Sequence, residues 1–261
     1  MGEVFNFKKF EVCHSNSSMK VGVDAVLIGS WTNCKGSKIV DVGTGCGVIA
    51  LMMAQRFPKA VIDAIDIDIE SVLEAMENFN KSAYRERLNS HTLSFKEFCE
   101  TASHPYDLII SNPPFFRSGI NEPNTAREKA RHQGELSPFS LLEQGKNILS
   151  DYGRIAMIIP TEFYEEVKLS TEKNDMRLLR VCHVRNRADL RPKRIMLEIG
   201  RHYSKNFNSE TFNDEPIPHL FDSNLKDSHP SLIEEELIMF EMDGLPTLKY
   251  RALCQDFYLK F

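Results

Sequence analysis

The sequence predicts an α/β protein built on one mostly parallel, doubly wound sheet of seven strands, with antiparallel strands near its C-terminal end. Short apolar runs, typical of buried strands, alternate with amphipathic stretches, typical of helices, and this alternation favours a parallel sheet covered on both faces. Later in the chain, strand-like runs follow one another without a long helix between them, which favours antiparallel pairing at one edge. We therefore expect residues 1–261 to form a single domain.

The composition of the chain argues against several classes of protein. Hydrophobic residues make up 42% of the sequence and charged residues 26%, which is ordinary for a soluble globular protein. No apolar run is long enough to cross a bilayer and the first residues lack a signal-peptide layout, so we expect a cytoplasmic protein without membrane contact. The six cysteines lack metal-ligand spacing, which predicts reduced thiols and no metal site. The net charge of −5 argues against a nucleic-acid coat protein but is compatible with an enzyme that has a local basic face.

The first 31 residues are expected to form an N-terminal lid. Residues 5–12 alternate aromatic and polar side chains, as a short strand does. Asp24 can then cap a helix that carries Val26 and Leu27 inward. We therefore expect this region to pack beside the sheet without adding a strand to it.

The first strand of the sheet ends in a glycine-rich turn, residues 41–47. Its G-x-G-x-G spacing differs from the G-x-G-x-x-G of dinucleotide-binding proteins, and the turn lacks the Lys-Ser/Thr of a phosphate-binding loop. The next strand, residues 61–66, ends in Asp66, and a carboxylate at this position suits a ribose diol. These features predict a nucleoside ligand without a pyrophosphate, which points to S-adenosylmethionine as the cofactor.

A second motif, Asn112-Pro113-Pro114-Phe115, follows residues 107–111, whose apolar centre is typical of a buried strand. The two prolines fix the backbone and remove two donors, and the residue before a proline avoids the α region. A rigid corner is therefore expected at the carboxyl end of a central strand, where open α/β sheets carry their chemistry.

The other elements are expected in alternation along the chain. Strands are predicted at 88–93, 153–159, 176–184 and 195–200, and helices at 69–83, from 138 onward, and at 161–173. Residues 205–230, rich in Asn, Asp, Ser and Pro, are expected to form a loop insertion, and strand-like apolar residues recur at 236–242 and 250–261.

In this order, residues 41–47, Asp66 and the Asn-Pro-Pro-Phe corner resemble the class I amino-methyltransferases, and stretches near both ends narrow the resemblance. Residues 5–10, 19–24, 191–194 and 252–259 are similar to the bacterial tRNA1(Val) (adenine-37 N6)-methyltransferase family. The resemblance implies a Rossmann-like class I methyltransferase fold and methyl transfer from S-adenosylmethionine to N6 of adenine 37 in a tRNA. The chain departs from the family pattern at Val23, Ala25 and Ser94.

The resemblance also implies the residues of the site. Asp66 would accept the ribose hydroxyls, the glycine-rich turn would hold the methionine end, and Lys20 and Asp24 would close the lid. The cofactor-binding residues implied are Lys20, Asp24, Asp41, Gly43, Thr44, Gly45, Gly47, Asp66, Ile67, Ser94, Phe95 and Asn112.

The catalytic residues implied are Asn112, Pro113, Pro114 and Phe115. The Asn112 amide oxygen and the Pro113 carbonyl would each accept one N–H of the adenine amine, and Phe115 would stack on the base. Candidate contacts to the tRNA are Phe116, Arg117, Arg127, Lys129, Arg131, Arg191, Lys193 and Arg194.

Simpler interpretations of the same residues stay open. The corner can be a strand-ending turn, Asp66 and Asp24 can be helix caps, and Lys193 and Arg194 can be edge-strand charges that discourage aggregation. The substrate can instead be a guanine N2 of rRNA or a protein glutamine. The chain can also be a non-catalytic module that binds a nucleoside or RNA.

Overall fold

The computed structural model describes residues 3–15, 20–114, 136–202 and 231–260. Its strands are β1 Val4–Asn6, β2 Glu11–Cys13, β3 Lys38–Val42, β4 Val61–Asp66, β5 Leu88–Thr92, β6 Tyr106–Ser111, β7 Leu149–Pro160, β8 Met176–Arg185, β9 Arg194–Arg201 and β10 Ile233–Ile238. Its α-helices are α1 Val23–Trp31, α2 Val48–Arg56, α3 Ile69–Lys81, α4 Phe95–Thr101, α5 Pro138–Ile148, α6 Tyr164–Lys173 and α7 Leu248–Cys254. The expected loop at 205–230 lies outside the described residues.

The central sheet has eight strands in the order β10-β8-β9-β7-β6-β3-β4-β5. Strand β9 pairs antiparallel with both β7 and β8, and the other pairings along the sheet are parallel. The predicted fold class, a mostly parallel doubly wound sheet with antiparallel pairing toward the C-terminal end, is confirmed. The eighth strand, β10, extends the expected seven by pairing with β8 at the edge.

Helices cover both faces of the sheet, and the alternation of side chains along β3 shows why. Ile39 belongs to a buried cluster with α1, α2 and α7, whereas Val40 belongs to a second cluster with α4, α5 and α6. Because successive side chains of a strand point to opposite faces, a strand buried on both faces is apolar at nearly every position. Among the described residues, no helix is both long and apolar enough to cross a membrane.

The N-terminal region differs in detail from the expectation. Strands β1 and β2 form a separate antiparallel hairpin, where a single short strand was expected. Helix α1 begins after Gly22, which caps it without a side-chain hydrogen bond, so the prediction that Asp24 is the cap was wrong. Asp24 lies in the first turn and pairs with Arg194. The inward burial of Val26 and Leu27 is confirmed.

The C-terminal stretch 250–261 was expected to be strand-like, and this was wrong. Its first residues belong to α7, which Thr247 caps by accepting a 3.1 Å hydrogen bond from the Tyr250 amide. Tyr250 and Cys254 are buried, and their spacing of four residues places them on one face of α7, with the buried Phe257 in the turn that follows. The apolar residues therefore follow a helical period in a segment too short for that period to stand out.

Candidate functional site

The carboxyl ends of β3, β4 and β6 meet at one edge of the sheet. These strands are neighbours and parallel, and Val42 at the end of β3 pairs with both Ile65 and Ser111. The turns that follow, residues 43–47 after β3 and Asn112–Pro113–Pro114 after β6, therefore leave the sheet side by side. In open α/β sheets this edge is where ligands bind.

The glycine loop, residues 43–47, requires glycine at three positions. Gly43, Gly45 and Gly47 have φ values of 71°, 54° and 84°, which disfavour side chains. A Cβ on Gly47 would also lie 2.5 Å from the Phe79 ring, whereas a Cβ on Gly45 would meet no described atom within 4 Å. Gly45 thus presents backbone to open space, where a ligand can approach closely.

Asp41 shapes this loop from beneath. Its Oδ2 accepts hydrogen bonds from the Thr44 hydroxyl at 2.6 Å and from the Ala50 amide at 3.0 Å. The side chain is fully buried, and this burial raises the pKa of Asp41 to about 7. Its Oδ1 is buried without a hydrogen-bond partner among the described residues. An acidic group that can gain or lose a proton near neutral pH therefore lies directly under the glycine loop.

Asp66 joins the glycine loop to the end of β4. One carboxylate oxygen accepts from the Gly45 amide and the other from the Asp68 amide, each at 3.0 Å. Burial raises the pKa of Asp66. Asp68 caps α3, so the alternative of Asp66 as the helix cap does not hold. The neighbouring Ile67 is 45% exposed and offers an apolar surface beside the carboxylate.

After β5, Ser94 caps helix α4 and Phe95 is its first residue. The Ser94 hydroxyl accepts from the Glu97 amide at 3.2 Å and the Ser94 amide donates to the Glu97 carboxylate at 2.9 Å, which completes a capping box. The Phe95 side chain is buried in the core. Any contact of Phe95 with a ligand is therefore limited to its backbone.

Strand β6, which leads into the corner, ends with a residue whose role the sequence analysis missed. The buried Ser111 hydroxyl donates a 2.7 Å hydrogen bond to the Val42 carbonyl. Asn112 and Pro114 are half-buried, Pro113 is buried, and no described peptide bond is cis. A small polar residue directly after the apolar residues 108–110 was the available signal for Ser111. Phe115 lies outside the described residues, as do Phe116, Arg117, Arg127, Lys129 and Arg131.

A cleft of about 400 Å³ opens beside the corner, where β7 ends and β9 begins. Ser111 pairs with Met157 on β7, so the following β7 residues run alongside the corner. The cleft is lined by Asp24, Ile158, Ile159, Pro160, Glu162, Pro192, Lys193 and Arg194. Two of the candidate RNA contacts thus face one cleft. Arg191 and Lys193 are exposed, whereas Arg194 is half-buried and paired with Asp24.

Lys20 and Asp24, expected to close one lid together, take different partners. Lys20 forms an exposed ion pair with Glu3, and this pairing lowers the pKa of Glu3. Asp24 instead contacts β9 through Arg194. Among the described residues, no group of three His, Cys, Asp or Glu side chains could hold a metal ion.

Asn78 and Glu74 of α3 were also missed by the sequence analysis. Both are buried, and each accepts a hydrogen bond from the backbone of residues 13–15. An asparagine and a glutamate within a helix give no sequence signal of such a role, because their partners are distant in the chain.

Comparisons with known proteins agree with this architecture. The family described as methyltransferase small domain matches residues 13–180. A tRNA1(Val) (adenine(37)-N6)-methyltransferase of Tolumonas auensis is 36% identical over 261 residues, with 99% of this chain and 98% of the relative covered. One of Parabacteroides distasonis is 41% identical, with 75% of this chain and 83% of the relative covered. A solved structure from Agrobacterium tumefaciens, described as a predicted O-methyltransferase, shares the fold with a TM-score of 0.62, 16% identity and 90% and 96% coverage of the two chains. The chain belongs to the tRNA1(Val) (adenine(37)-N6)-methyltransferase family, within the small-domain methyltransferases.

Proposed function

We propose that this chain transfers a methyl group from S-adenosylmethionine to the exocyclic N6 amine of an adenine in tRNA, at adenine 37 of tRNA1(Val). The hydrogen bond from Ser111 to Val42 is the observation that carries this proposal. Ser111 immediately precedes the Asn112 corner, and Val42 immediately precedes the glycine loop. Because neighbouring strands lie about 4.8 Å apart, a group held by the corner faces a ligand held by the loop.

The residues of the loop fit the cofactor. Gly45 leaves open space beside its backbone, Asp66 supplies carboxylate oxygens next to that space, and Ile67 supplies an exposed apolar surface for a purine. When bound, S-adenosylmethionine supplies a methyl group made electrophilic by its sulfonium. The buried Asp41 would support the loop from within. We therefore propose that Asp41 positions the loop, where a direct contact with the cofactor was expected.

The corner would prepare the amine for attack. The lone pair of an exocyclic adenine amine is delocalised into the ring, which makes the nitrogen a poor nucleophile. If the Asn112 amide oxygen and the Pro113 carbonyl each accept one N–H, the nitrogen becomes more tetrahedral and its lone pair is freed. The rigid prolines hold these acceptors in place, so positioning supplies most of the effect. Carbonyl dipoles stabilise the positive charge that develops on nitrogen until a proton leaves to water.

The surface around the cleft beside the corner would contact the tRNA. Taking the target base out of its stack costs roughly a few kcal/mol, and stacking on an aromatic ring returns about 1–3 kcal/mol. We propose Phe115 for this ring, and Lys193 and Arg191 for phosphate contacts. The remaining candidates, Phe116, Arg117, Arg127, Lys129 and Arg131, stay proposals for the same surface. A tRNA substrate supports a cytoplasmic site of action.

The test is methyl transfer from labelled S-adenosylmethionine to unmodified total tRNA, followed by nucleoside digestion. We expect N6-methyladenosine with the unmodified protein, loss of product with Asn112→Ala, and retention with Asn174→Ala at the end of α6. Label in rRNA or in protein would keep the cofactor but overturn the substrate. No label in any substrate, with the cofactor product still bound, would favour a non-catalytic module.

A further inference from the structure

The N-terminal segment, residues 3–15, is anchored at two places on the molecule. At the hairpin turn, the Lys8 amide donates to the Phe257 carbonyl at 2.9 Å, and Phe7 forms a bridge with Tyr258. At its other end, the segment lies along α3, where the Ser15 amide donates to the Glu74 carboxylate at 2.7 Å. The segment is thus held against α3 and against the C-terminal residues Phe257 and Tyr258.

Asn78, one turn after Glu74, connects this segment to the glycine loop. Its Oδ1 accepts from the Cys13 amide at 2.9 Å. Its Nδ2 donates to the Cys13 carbonyl at 2.8 Å and to the Cys46 carbonyl at 2.9 Å. The side chain is 1% exposed, so these bonds are made without competition from water.

An amide is the side chain that this position requires. Two backbone carbonyls need two donors and one backbone N–H needs an acceptor, which fixes the orientation of the amide. Aspartate would place a second acceptor against the Cys46 carbonyl, and alanine would leave three buried or partly buried backbone groups without this partner. The need for an amide at position 78 comes from Cys13 of the N-terminal segment and Cys46 of the glycine loop, and not from helix α3 itself.

The contact lies within the glycine loop, between a glycine that faces open space and a glycine that packs closely against α3. Gly45 faces open space, and Gly47 packs against Phe79 of α3 so closely that a Cβ would not fit. Cys46 therefore holds the loop to α3 through its carbonyl while the neighbouring Gly45 remains available to a ligand.

We propose that Asn78 is a positioning residue that couples the N-terminal segment to the glycine loop, so that the affinity for the amino-acid end of the cofactor depends on this link. This inference rests on the proposed function, because it assigns that end of the cofactor to the glycine loop. Displacement of the segment removes the two Cys13 bonds that orient the Asn78 amide, which weakens the bond from this amide to the Cys46 carbonyl and loosens the loop. A ligand that fixes the loop fixes the segment in turn.

The test compares two ligands that differ only in the part assigned to this loop. S-adenosylhomocysteine carries the amino-acid end, and 5′-methylthioadenosine lacks it. We expect Asn78→Ala and Asn78→Asp to weaken S-adenosylhomocysteine binding by about tenfold, with 5′-methylthioadenosine binding changed less than about twofold. Asn174→Ala, which removes a partly buried asparagine from the opposite face of the sheet, should change neither.

Equal weakening of both ligands would show general damage and would overturn the proposal, as would no change for either. Failure of the unmodified protein to bind S-adenosylhomocysteine would instead overturn the proposed function. Amide hydrogen exchange in the unmodified protein gives a readout that does not depend on the variants folding. S-adenosylhomocysteine should slow exchange of the Cys13 amide, and unchanged exchange there would overturn the coupling.

Discussion

Ser111 holds the end of β6 to the end of β3 by donating its hydroxyl to the Val42 carbonyl at 2.7 Å. Both groups are buried and lie where the sheet gives way to its two functional turns. The backbone pairing of β3 with β6 ends at Val42 and Ser111, and the Ser111 side chain adds one more hydrogen bond between the two strands. The spacing between the corner and the glycine loop is therefore fixed by a residue that belongs to neither.

Ser111→Ala tests this connection. We expect a loss of about 1 kcal/mol in the free energy of unfolding and a fall in kcat of about 10- to 100-fold, because the corner shifts relative to the loop. The affinity for S-adenosylhomocysteine should stay close to that of the unmodified protein. Denaturant titration, steady-state kinetics and calorimetry measure the three quantities.

Ser150→Ala is the matched control for Ser111→Ala. Ser150 also donates from a strand to a neighbouring strand, to Asp107 at 2.9 Å, but at the amino edge of the sheet. It should lower stability by a similar amount and leave kcat unchanged. Equal effects of the two variants on kcat would contradict a specific role for Ser111.

Local sequence signals were sufficient to predict much of the sheet and the conformation of the glycine loop. The three glycines adopt the backbone conformations that their spacing indicates, and a helix begins at Pro138 as expected, with Ser137 as its cap. These features depend on residues within a few positions of one another, and a sequence displays such relations directly.

Contacts between residues distant in the chain could not be predicted from such local signals. Asp24 lies in the first turn of α1 but pairs with Arg194 across the fold, and Asn78 contacts Cys13 and Cys46. The last helix was read as strand-like because seven residues hold too few turns for a helical period to be recognised. Side chains whose partners arrive only on folding carry no local signal.

The buried Asp41 predicts an unusual dependence of stability on pH. Because its pKa rises from 3.8 to about 7 on folding, the folded chain binds this proton more tightly than the unfolded chain. Its contribution to the free energy of unfolding therefore falls as pH rises from about 4 to about 7, by at most about 4 kcal/mol, and is constant above.

Asp41→Asn removes this titration and can keep the hydrogen bonds from Thr44 and Ala50 through its amide oxygen. The difference in unfolding free energy between variant and unmodified protein should therefore widen between pH 4 and pH 7, in favour of the variant. Urea titrations of both proteins across this range measure it. Parallel pH profiles would contradict the assignment.

Glu198 forms the centre of a buried ion-pair network and should be costly to replace. Its carboxylate is fully buried and contacts Arg154 at 2.6 Å, Arg180 at 3.2 Å and the Asn33 amide at 2.8 Å. We expect Glu198→Leu to lower the free energy of unfolding by about 3–5 kcal/mol, because the partly buried Arg154 loses its carboxylate partner and Arg180 keeps only Glu235.

The control for Glu198→Leu is Glu236→Gln, which breaks an ion pair with Arg185 at the surface. An exposed pair is worth about 0–1 kcal/mol, so this variant should unfold almost like the unmodified protein. Denaturant titrations of the two variants measure the contrast. A loss below about 1 kcal/mol for Glu198→Leu would show that the arginines are accommodated by solvent.

The cleft next to the corner predicts different roles for its two basic residues. Lys193 is exposed, whereas the charge of Arg194 is compensated by Asp24. Lys193→Ala should weaken tRNA binding and lower the slope of log affinity against log salt by about 1. The double variant Asp24→Asn/Arg194→Ala removes one charge of each sign and should leave the slope unchanged.

Lys59→Ala, at the amino edge of the sheet, is the control for Lys193→Ala, because it removes an exposed lysine far from the cleft. If the double variant lowers the slope as much as Lys193→Ala does, then Arg194 contacts phosphate in the complex and its pairing with Asp24 is confined to the free protein.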